Sequence, residues 1–186
     1  MHSEFLSLIT SRQSVRPKYL AAPAPDAQAL EKAVQAACSA PSHDGLLPWR
    51  FVSVAEEKRQ ALADLFEAAA RNLGGDDDKA QRARSKALKG PGLVAFVVCI
   101  DKASEVSELE QTLTAGAALG NFMLALNAMG FGGIVLSGSV LKDAALQSAF
   151  CQKEGEQLVA WVTVGTPVEG AFKGRAPVES LPLTSW

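Results

Sequence analysis

The strongest constraint on the fold is an uninterrupted apolar segment, residues 93–100, in the middle of the chain. Gly90-Pro91-Gly92 precedes this segment and Asp101 follows it, so its length suits a strand better than a helix. A strand without polar alternation is typical of a sheet interior that is covered on both faces. We therefore expect residues 93–100 to be a central strand of the sheet.

Other apolar patterns surround this segment and alternate between strand and helix spacing. Strands are predicted at residues 49–54, 132–138 and 158–165. Helices are predicted at residues 3–11, 27–40, 56–70, 108–129 and 143–150, with Asp26 as the N-cap of the second. Interleaved strands and helices of this kind indicate an α/β or α+β sandwich.

Two segments give less usual signals. Residues 108–129 are small or apolar nearly all round, so we expect this helix to be buried on several sides, with a second subunit as one candidate cover. Gly74-Gly75 is followed by Asp76, Asp77 and Asp78, which we interpret as a solvated loop without a function.

Composition excludes several classes of function. The 186 residues suit one domain, 1–186, and 18 basic against 20 acidic side chains leave no positive excess for nucleic acid or an anionic membrane. Three scattered cysteines and two histidines offer no zinc pattern. No segment has the apolar length of a membrane span or a signal peptide, so a cytoplasmic location is expected.

Side chains for acid, base or nucleophilic catalysis are scarce. The chain has no G-x-S-x-G sequence, and neither of the glycine-rich nucleotide-binding patterns is present. His43 is the only histidine away from the N-terminus. We therefore predict no catalytic side chain and expect a cofactor to supply the chemistry.

The positive signal is the segment Ser11-Arg12-Gln13-Ser14-Val15-Arg16, which follows the first helix. A guanidinium offers a planar fork of donors and a hydroxyl offers a short donor, and both suit a terminal phosphate. The alternative is that both arginines only cover the surface with their aliphatic stems. The hexapeptide alone leaves these two interpretations open.

Six motifs in order resemble the nitroreductase family of FMN-dependent flavoproteins, in particular its compact bacterial members. The resemblance covers nearly the whole chain, and the pattern A-P-S-x(5)-P-W-x-F at residues 40–51 is its most specific part. The other motifs are residues 12–16, Ala115-Gly116-Ala117-Ala118, Gly130-Phe131-Gly132-Gly133, Val164-Gly165-Thr166-Pro167 and Lys173-Gly174-Arg175. The family departs from this chain at Ser39, Gly45 and Leu47, where it often has basic or amide side chains.

The resemblance implies an α+β fold with a mixed, largely antiparallel central sheet flanked by helices, and a homodimer with FMN at the subunit interface. It also implies roles for the basic residues. Arg12, Gln13 and Ser14 would bind the phosphate and ribityl end of FMN, and Arg16 would lie near the pyrimidine edge of the ring. Lys173 and Arg175 would close over the phosphate.

The remaining implied FMN contacts come from two loops. Ser42 and His43 would reach the flavin from the opposite subunit, although His43 could also be an ordinary loop histidine. The backbone of Val135, Leu136, Ser137 and Gly138 would run along the flavin, with the amide of Ser137 or Gly138 donating to N5. The alternative for this second segment is a simple turn at the end of a strand.

The activity implied by the resemblance is ping-pong oxidoreduction. NAD(P)H would reduce FMN, and an electron-poor small-molecule acceptor such as a nitroaromatic or a quinone would reoxidise it. A flavin carrier or sensor without turnover is the first alternative, and an interaction domain without a ligand is the second. No metal, nucleic acid or membrane partner is expected.

Overall fold

The predicted apolar segment lies in the middle of a five-stranded sheet in the computed structural model, which describes residues 2–172, 174, 178 and 182–185. The strands are β1 (Leu20–Ala21), β2 (Trp49–Ser53), β3 (Gly92–Cys99), β4 (Gly132–Leu136) and β5 (Glu156–Pro167). The third strand has β2 on one side and β5 on the other, while β1 and β4 also pair with β5. Every described pairing is antiparallel.

Six α-helices connect and cover these strands, and side-chain caps fix where four of them begin. Asp26, Asp76, Ser107 and Asp143 each accept a hydrogen bond from the backbone N–H three residues further on. Such caps satisfy a donor that the first turn leaves unpaired. The helices are α1 (His2–Ser11), α2 (Ala27–Ala37), α3 (Arg59–Asn72), α4 (Asp77–Ala87), α5 (Glu108–Ala128) and α6 (Ala144–Phe150).

The side chains of β3 alternate between two hydrophobic cores. Val94, Phe96 and Val98 pack with α2 and α5 on one face of the sheet. The residues between them pack with α3, α4 and α6 on the other face. This arrangement confirms a central strand covered on both sides and gives a helix, sheet, helix sandwich.

Trp49 and Trp161 are buried, one in each of these two cores. Trp161 packs against Phe66 of α3 with ring centroids 5.2 Å apart. Phe51, two residues after Trp49, stacks on Phe122 of α5 at 4.1 Å. Aromatic contacts therefore join the sheet to a helix on each of its faces.

The prediction of a solvated loop at Asp76, Asp77 and Asp78 is wrong, because these residues begin α4. Asp76 is the N-cap, and Asp77 and Asp78 occupy the first turn, where negative charge is favourable. The helix buries only Ala80, Ala83 and Ala87. A face of alanines carries too little apolar signal for the 3.6-residue period to stand out among so many charges.

The long helix α5 is buried on one side within the chain. Gln111, Ala115, Ala118 and Phe122 lie on its buried face, whereas Leu109 and Leu113 are 68% and 64% exposed. A Cβ placed on Gly116 or Gly120 would meet no atom within 4 Å. The expectation of burial on several sides is thus not met by a single copy of the chain.

No helix in the described part of the chain combines the length and the apolar content needed to span a membrane.

Candidate functional site

The segment carrying Arg12 and Arg16 docks onto the start of β4. The backbone N–H of Val15 donates to the carbonyl of Gly133 at 3.0 Å, and the Val15 side chain is fully buried. A Cβ on Gly132 would lie 3.0 Å from Cγ2 of Val15 and 2.7 Å from Cγ of Pro167. Glycine at the start of β4 is therefore what allows the two segments to approach.

The polar side chains around Val15 are left free by this docking. Arg12 and Gln13 are half-buried, and Ser14 and Arg16 are exposed. Within the part of the chain that the structure describes, no hydrogen bond or ion pair joins any of these four side chains to another residue. Two guanidinium groups and a hydroxyl are consequently available to an anionic ligand.

The other FMN-binding segment predicted within the same chain, residues 135–138, lies at the C-terminal end of β4. Val135 and Leu136 are 38% and 37% exposed, and Ser137 and Gly138 follow as an exposed loop. Among the described strands, β4 pairs with β5 alone, so its other edge is open beyond the contact with Val15. A Cβ on Gly138 would meet no atom within 4 Å, which leaves room for a flat ring close to the backbone.

A small cavity of about 70 Å³ opens beside this end of β4. Trp161 lines it, and the buried Nε1 of that indole has no hydrogen-bond partner among the described residues. Its other lining residues include Phe66, Lys86, Leu93, Leu136, Ser137, Gly138, Ser139, Val140 and Thr163. The cavity therefore joins the exposed end of β4 to α3 and α4.

Lys86 is a candidate site residue that the sequence analysis missed. It lies in the last turn of α4, lines the cavity with Ser137 and Gly138, and forms no ion pair with any described residue. It was missed because α4 itself was not predicted. The available signal was the placement of Lys79, Arg82 and Lys86 at helical spacing.

Ser42 and His43 lie on an exposed loop between α2 and β2. The N–H of Leu46 donates to the carbonyl of His43 at 3.1 Å, and Asp44 and Gly45 have positive φ angles of 53° and 69°. Glycine or aspartate suits this left-handed turn. The loop is therefore a defined turn with its polar side chains in solvent.

Within the described part of the chain, no hydrogen bond or ion pair joins Ser42 or His43 to Arg12. Ser39, three residues before Ser42, lies beside α5, where its Oγ accepts a hydrogen bond from Nδ2 of Asn121 at 3.4 Å. The single chain therefore does not join the two halves of the predicted FMN site by a direct bond.

Lys173 and Arg175, the predicted late phosphate contacts, lie outside the described residues. The described site therefore consists of residues 12–16, the β4 segment and Lys86.

Comparison with known proteins decides the family. The model of the Nitroreductase family matches residues 9–166. The chain belongs to the nitroreductase family. A relative from Haemophilus influenzae, provisionally named an NAD(P)H nitroreductase, is 35% identical over 167 residues, which are 89% of this chain and 90% of the relative.

Two solved structures of the nitroreductase family share this fold. A nitroreductase-like protein from Bacillus cereus superposes with a TM-score of 0.78 at 20% identity, covering 94% of this chain and 90% of its own. A nitroreductase with bound FMN from Bacteroides fragilis gives a TM-score of 0.71 at 22% identity over 98% of both chains. The resemblance seen in the sequence, the fold class and the oxidoreductase class are confirmed.

Proposed function

We propose that this nitroreductase is an FMN-dependent NAD(P)H oxidoreductase that reduces electron-poor acceptors such as nitroaromatics and quinones. The observation that carries the proposal is the hydrogen bond between Val15 and Gly133, which joins the arginine segment to the open edge of β4. FMN has an anionic end and a flat ring end, and this arrangement offers one binding surface for each.

The names of similar proteins support the cofactor and the reductant. The Bacteroides fragilis structure contains FMN, and the Haemophilus influenzae relative is named for NAD(P)H. Each name describes that protein, and the donor chemistry of the present chain agrees with both.

Arg12, Gln13 and Ser14 form the proposed surface for the phosphate and ribityl end. Arg12 is half-buried, and its guanidinium has no partner in the described chain. A phosphate could therefore bind it without displacing another hydrogen-bond acceptor. We assign Lys173 and Arg175 to the same phosphate on the basis of the sequence motif. Three cations would offset the charge of the dianion.

The ring end is assigned to Val135, Leu136, Ser137 and Gly138. Gly138 lies five residues after Gly133, about 16 Å along an extended chain at ~3.3 Å per residue, so the two ends of the surface are separated as the two ends of an elongated cofactor require. The amide of Ser137 or Gly138 would donate to the flavin N5. Arg16 would stabilise negative charge at the pyrimidine edge.

FMN, when bound, would supply the chemistry by accepting a hydride from NAD(P)H and passing electrons to the acceptor in a second, ping-pong half-reaction. The chain contributes by holding and orienting the ring and by placing cations near it. No side chain near residues 12–16 or 135–138 is required as a covalent nucleophile. The exposed edge of β4 leaves access for both substrates in turn.

A homodimer is part of the proposal because the family resemblance implies that Ser42 and His43 reach the flavin of the opposite subunit. A partner packed against α5 could bring its own loop to this chain's β4 edge. The exposed face of α5 presents Leu109, Leu113, Gly116 and Gly120 at helical spacing, which suits close packing of a second copy. Phe5 and Leu6 of α1 are also exposed, and α1 contacts α5.

Gly120→Arg tests the dimer and its link to FMN together. A side chain at this position meets no atom within 4 Å in the single chain, so the fold should tolerate arginine. We expect light scattering to show a monomer that keeps its helical circular dichroism but loses FMN. Gln28→Arg on the exposed side of α2 is the control, and a flavin-loaded Gly120→Arg monomer would contradict the shared site.

An anaerobic visible spectrum tests the proposed activity. We expect flavin absorption near the usual ~450 nm band of a flavoprotein, bleached by NADH or NADPH and restored by menadione or nitrofurazone. Bands that persist with both nucleotides would favour the carrier or sensor alternative. No FMN binding after reconstitution would favour an interaction domain and overturn the proposal.

A further inference from the structure

A basic groove of about 420 Å³ lies next to the cavity at the end of β4. Three parts of the chain form it: the turn before α4, one face of α4, and the segment that follows β4. The residues used below are Gly74, Gly75, Lys79, Arg82, Lys86 and Ser139.

The cations of this groove share one face of α4. Lys79, Arg82 and Lys86 are spaced by three and four residues, so their side chains project in similar directions from the helix. The side chains of Lys79 and Lys86 form no hydrogen bond or ion pair with any described residue. Arg82 lies 3.6 Å from Asp78 in an exposed pair, which is weak.

The nearby acidic side chains are otherwise engaged. Asp76 caps α4 through the N–H of Lys79, and Asp77 accepts a hydrogen bond from Arg71 at 2.6 Å. No acidic residue lines the groove among the described residues. The lining of the groove therefore carries three cations, of which only Arg82 has an acidic partner, Asp78.

The groove and the cavity are neighbours that share part of their lining. Lys86, Ser139 and Val140 line both, while Ser137 and Gly138 line the cavity alone. Lys79 lies about 10 Å further from the cavity than Lys86, measured along α4 at ~1.5 Å per residue. An elongated ligand with one end at the cavity could therefore extend past Lys86 towards Lys79.

We propose that Lys79 and Arg82 bind the 2′-phosphate of NADPH and make this nucleotide the preferred hydride donor. The inference rests on the proposed function, which places the flavin N5 at the Ser137–Gly138 end of β4, because hydride transfer requires the nicotinamide to approach that atom. NADPH differs from NADH by one phosphate, and a pair of cations with the guanidinium fork of arginine is suited to that group. The glycine turn at Gly74 and Gly75 leaves one wall of the groove without side chains.

The test compares two double variants that remove equal charge. Lys79→Gln/Arg82→Gln changes the groove, and Lys32→Gln/Lys58→Gln changes two exposed lysines outside it. Steady-state kcat/KM is measured for NADPH and NADH with the flavin-loaded dimer. Calorimetry measures binding of 2′,5′-ADP and 5′-AMP to each variant.

We expect the unmodified enzyme to prefer NADPH and to bind 2′,5′-ADP more tightly than 5′-AMP. The groove variant should raise KM for NADPH about tenfold and change KM for NADH by less than about twofold, since two solvent-exposed contacts to one phosphate together are worth roughly that factor. The affinity for 2′,5′-ADP should fall by a similar factor. The control variant should match the unmodified enzyme in all four measurements.

An unchanged ratio of NADPH to NADH efficiency in the groove variant would overturn the inference. Equal affinity of the unmodified enzyme for 2′,5′-ADP and 5′-AMP would overturn it as well. Failure of the proposed function is seen separately, as a flavin that neither nucleotide reduces. In that case, a selective loss of 2′,5′-ADP binding in the groove variant would still support the phosphate site. Equal affinity of the groove variant and the unmodified protein for 2′,5′-ADP would exclude it.

Discussion

Four arginines of this chain fall into two pairs with opposite surroundings. Arg50 and Arg59 donate to other parts of the fold, whereas Arg12 and Arg16 have no partner in the described chain. All four carry the same charge, so the sequence gives no direct sign of this difference. The contrast separates guanidinium groups that stabilise the fold from those that are free to bind a ligand.

Arg59 is 4% exposed and ties α3 to the end of α4. Its Nε donates to the carbonyl of Ala87 at 2.7 Å, and its Nη2 donates to the carbonyls of Lys89 and Gly90 at 3.0 and 3.3 Å. Burial lowers the pKa of this guanidinium, with the charge of Glu56 acting in the opposite direction. The side chain thus satisfies carbonyls that a helix end leaves unpaired.

Arg50 forms a forked ion pair with Glu156, from Nε at 2.8 Å and from Nη2 at 2.9 Å. It also donates to the carbonyl of Phe150. The carboxylate of Glu156 accepts further hydrogen bonds from the N–H groups of Gln152 and Lys153. This network connects β2 to the start of β5. The guanidinium of Arg50 is thus engaged within the fold, whereas that of Arg12 is not.

The largest expected effect is on stability, from Arg59→Met. Removing the guanidinium leaves buried carbonyls without donors, so the free energy of unfolding should fall by about 3 kcal/mol. Urea denaturation of the apoprotein measures the change, with Lys58→Met as the exposed neighbouring control. A loss equal to that of the control would show that the contrast between the two arginine pairs is mistaken.

The next effect is on binding, from Arg12→Ala. The FMN dissociation constant should rise about 30-fold because a charge-assisted contact to phosphate is lost. The melting temperature of the apoprotein should stay unchanged, since Arg12 has no described partner. Fluorescence titration with FMN checks this, with Arg71→Ala as the exposed control, and unchanged flavin affinity would refute the phosphate assignment.

The smallest effect is pH-dependent and comes from Glu156. The hydrogen bonds from Arg50, above all, lower the pKa of Glu156 from its ordinary 4.5 to about 2. The stability contributed by the ionised carboxylate is therefore complete above about pH 4.5 and is lost as the pH falls towards 2.

The matching variant is Glu156→Gln, which keeps the shape of the side chain without its charge. At pH 7 it should lower the free energy of unfolding by about 1.5 kcal/mol, and the difference from the unmodified chain should shrink below pH 4.5. Denaturation at a series of pH values measures this. A difference that stays constant down to pH 2.5 would rule out the ion pair as its source.

Much of the scaffold could be predicted from the sequence because its signals are local. The apolar run of β3, the cap at Asp26 and the helical period of α5 each depend on neighbouring residues only. The missed element, α4, has a buried face of alanines, and a local pattern of that kind is too weak to detect. Lys79, Arg82 and Lys86 were therefore not recognised as one face of a helix.

The sequence predicts residue types for the candidate site but not its geometry. Arg12, Ser14 and Gly138 were predicted as site residues from the local sequence and the family resemblance, and their binding roles stay predictions. Only the tertiary structure decided that residues 12–16 dock on Gly133 and that Lys86 lines the cavity beside Gly138. The physical reason is that these relations depend on packing between segments distant in the sequence. The way residues 12–16 and α4 pack beside β4 sets which groups meet.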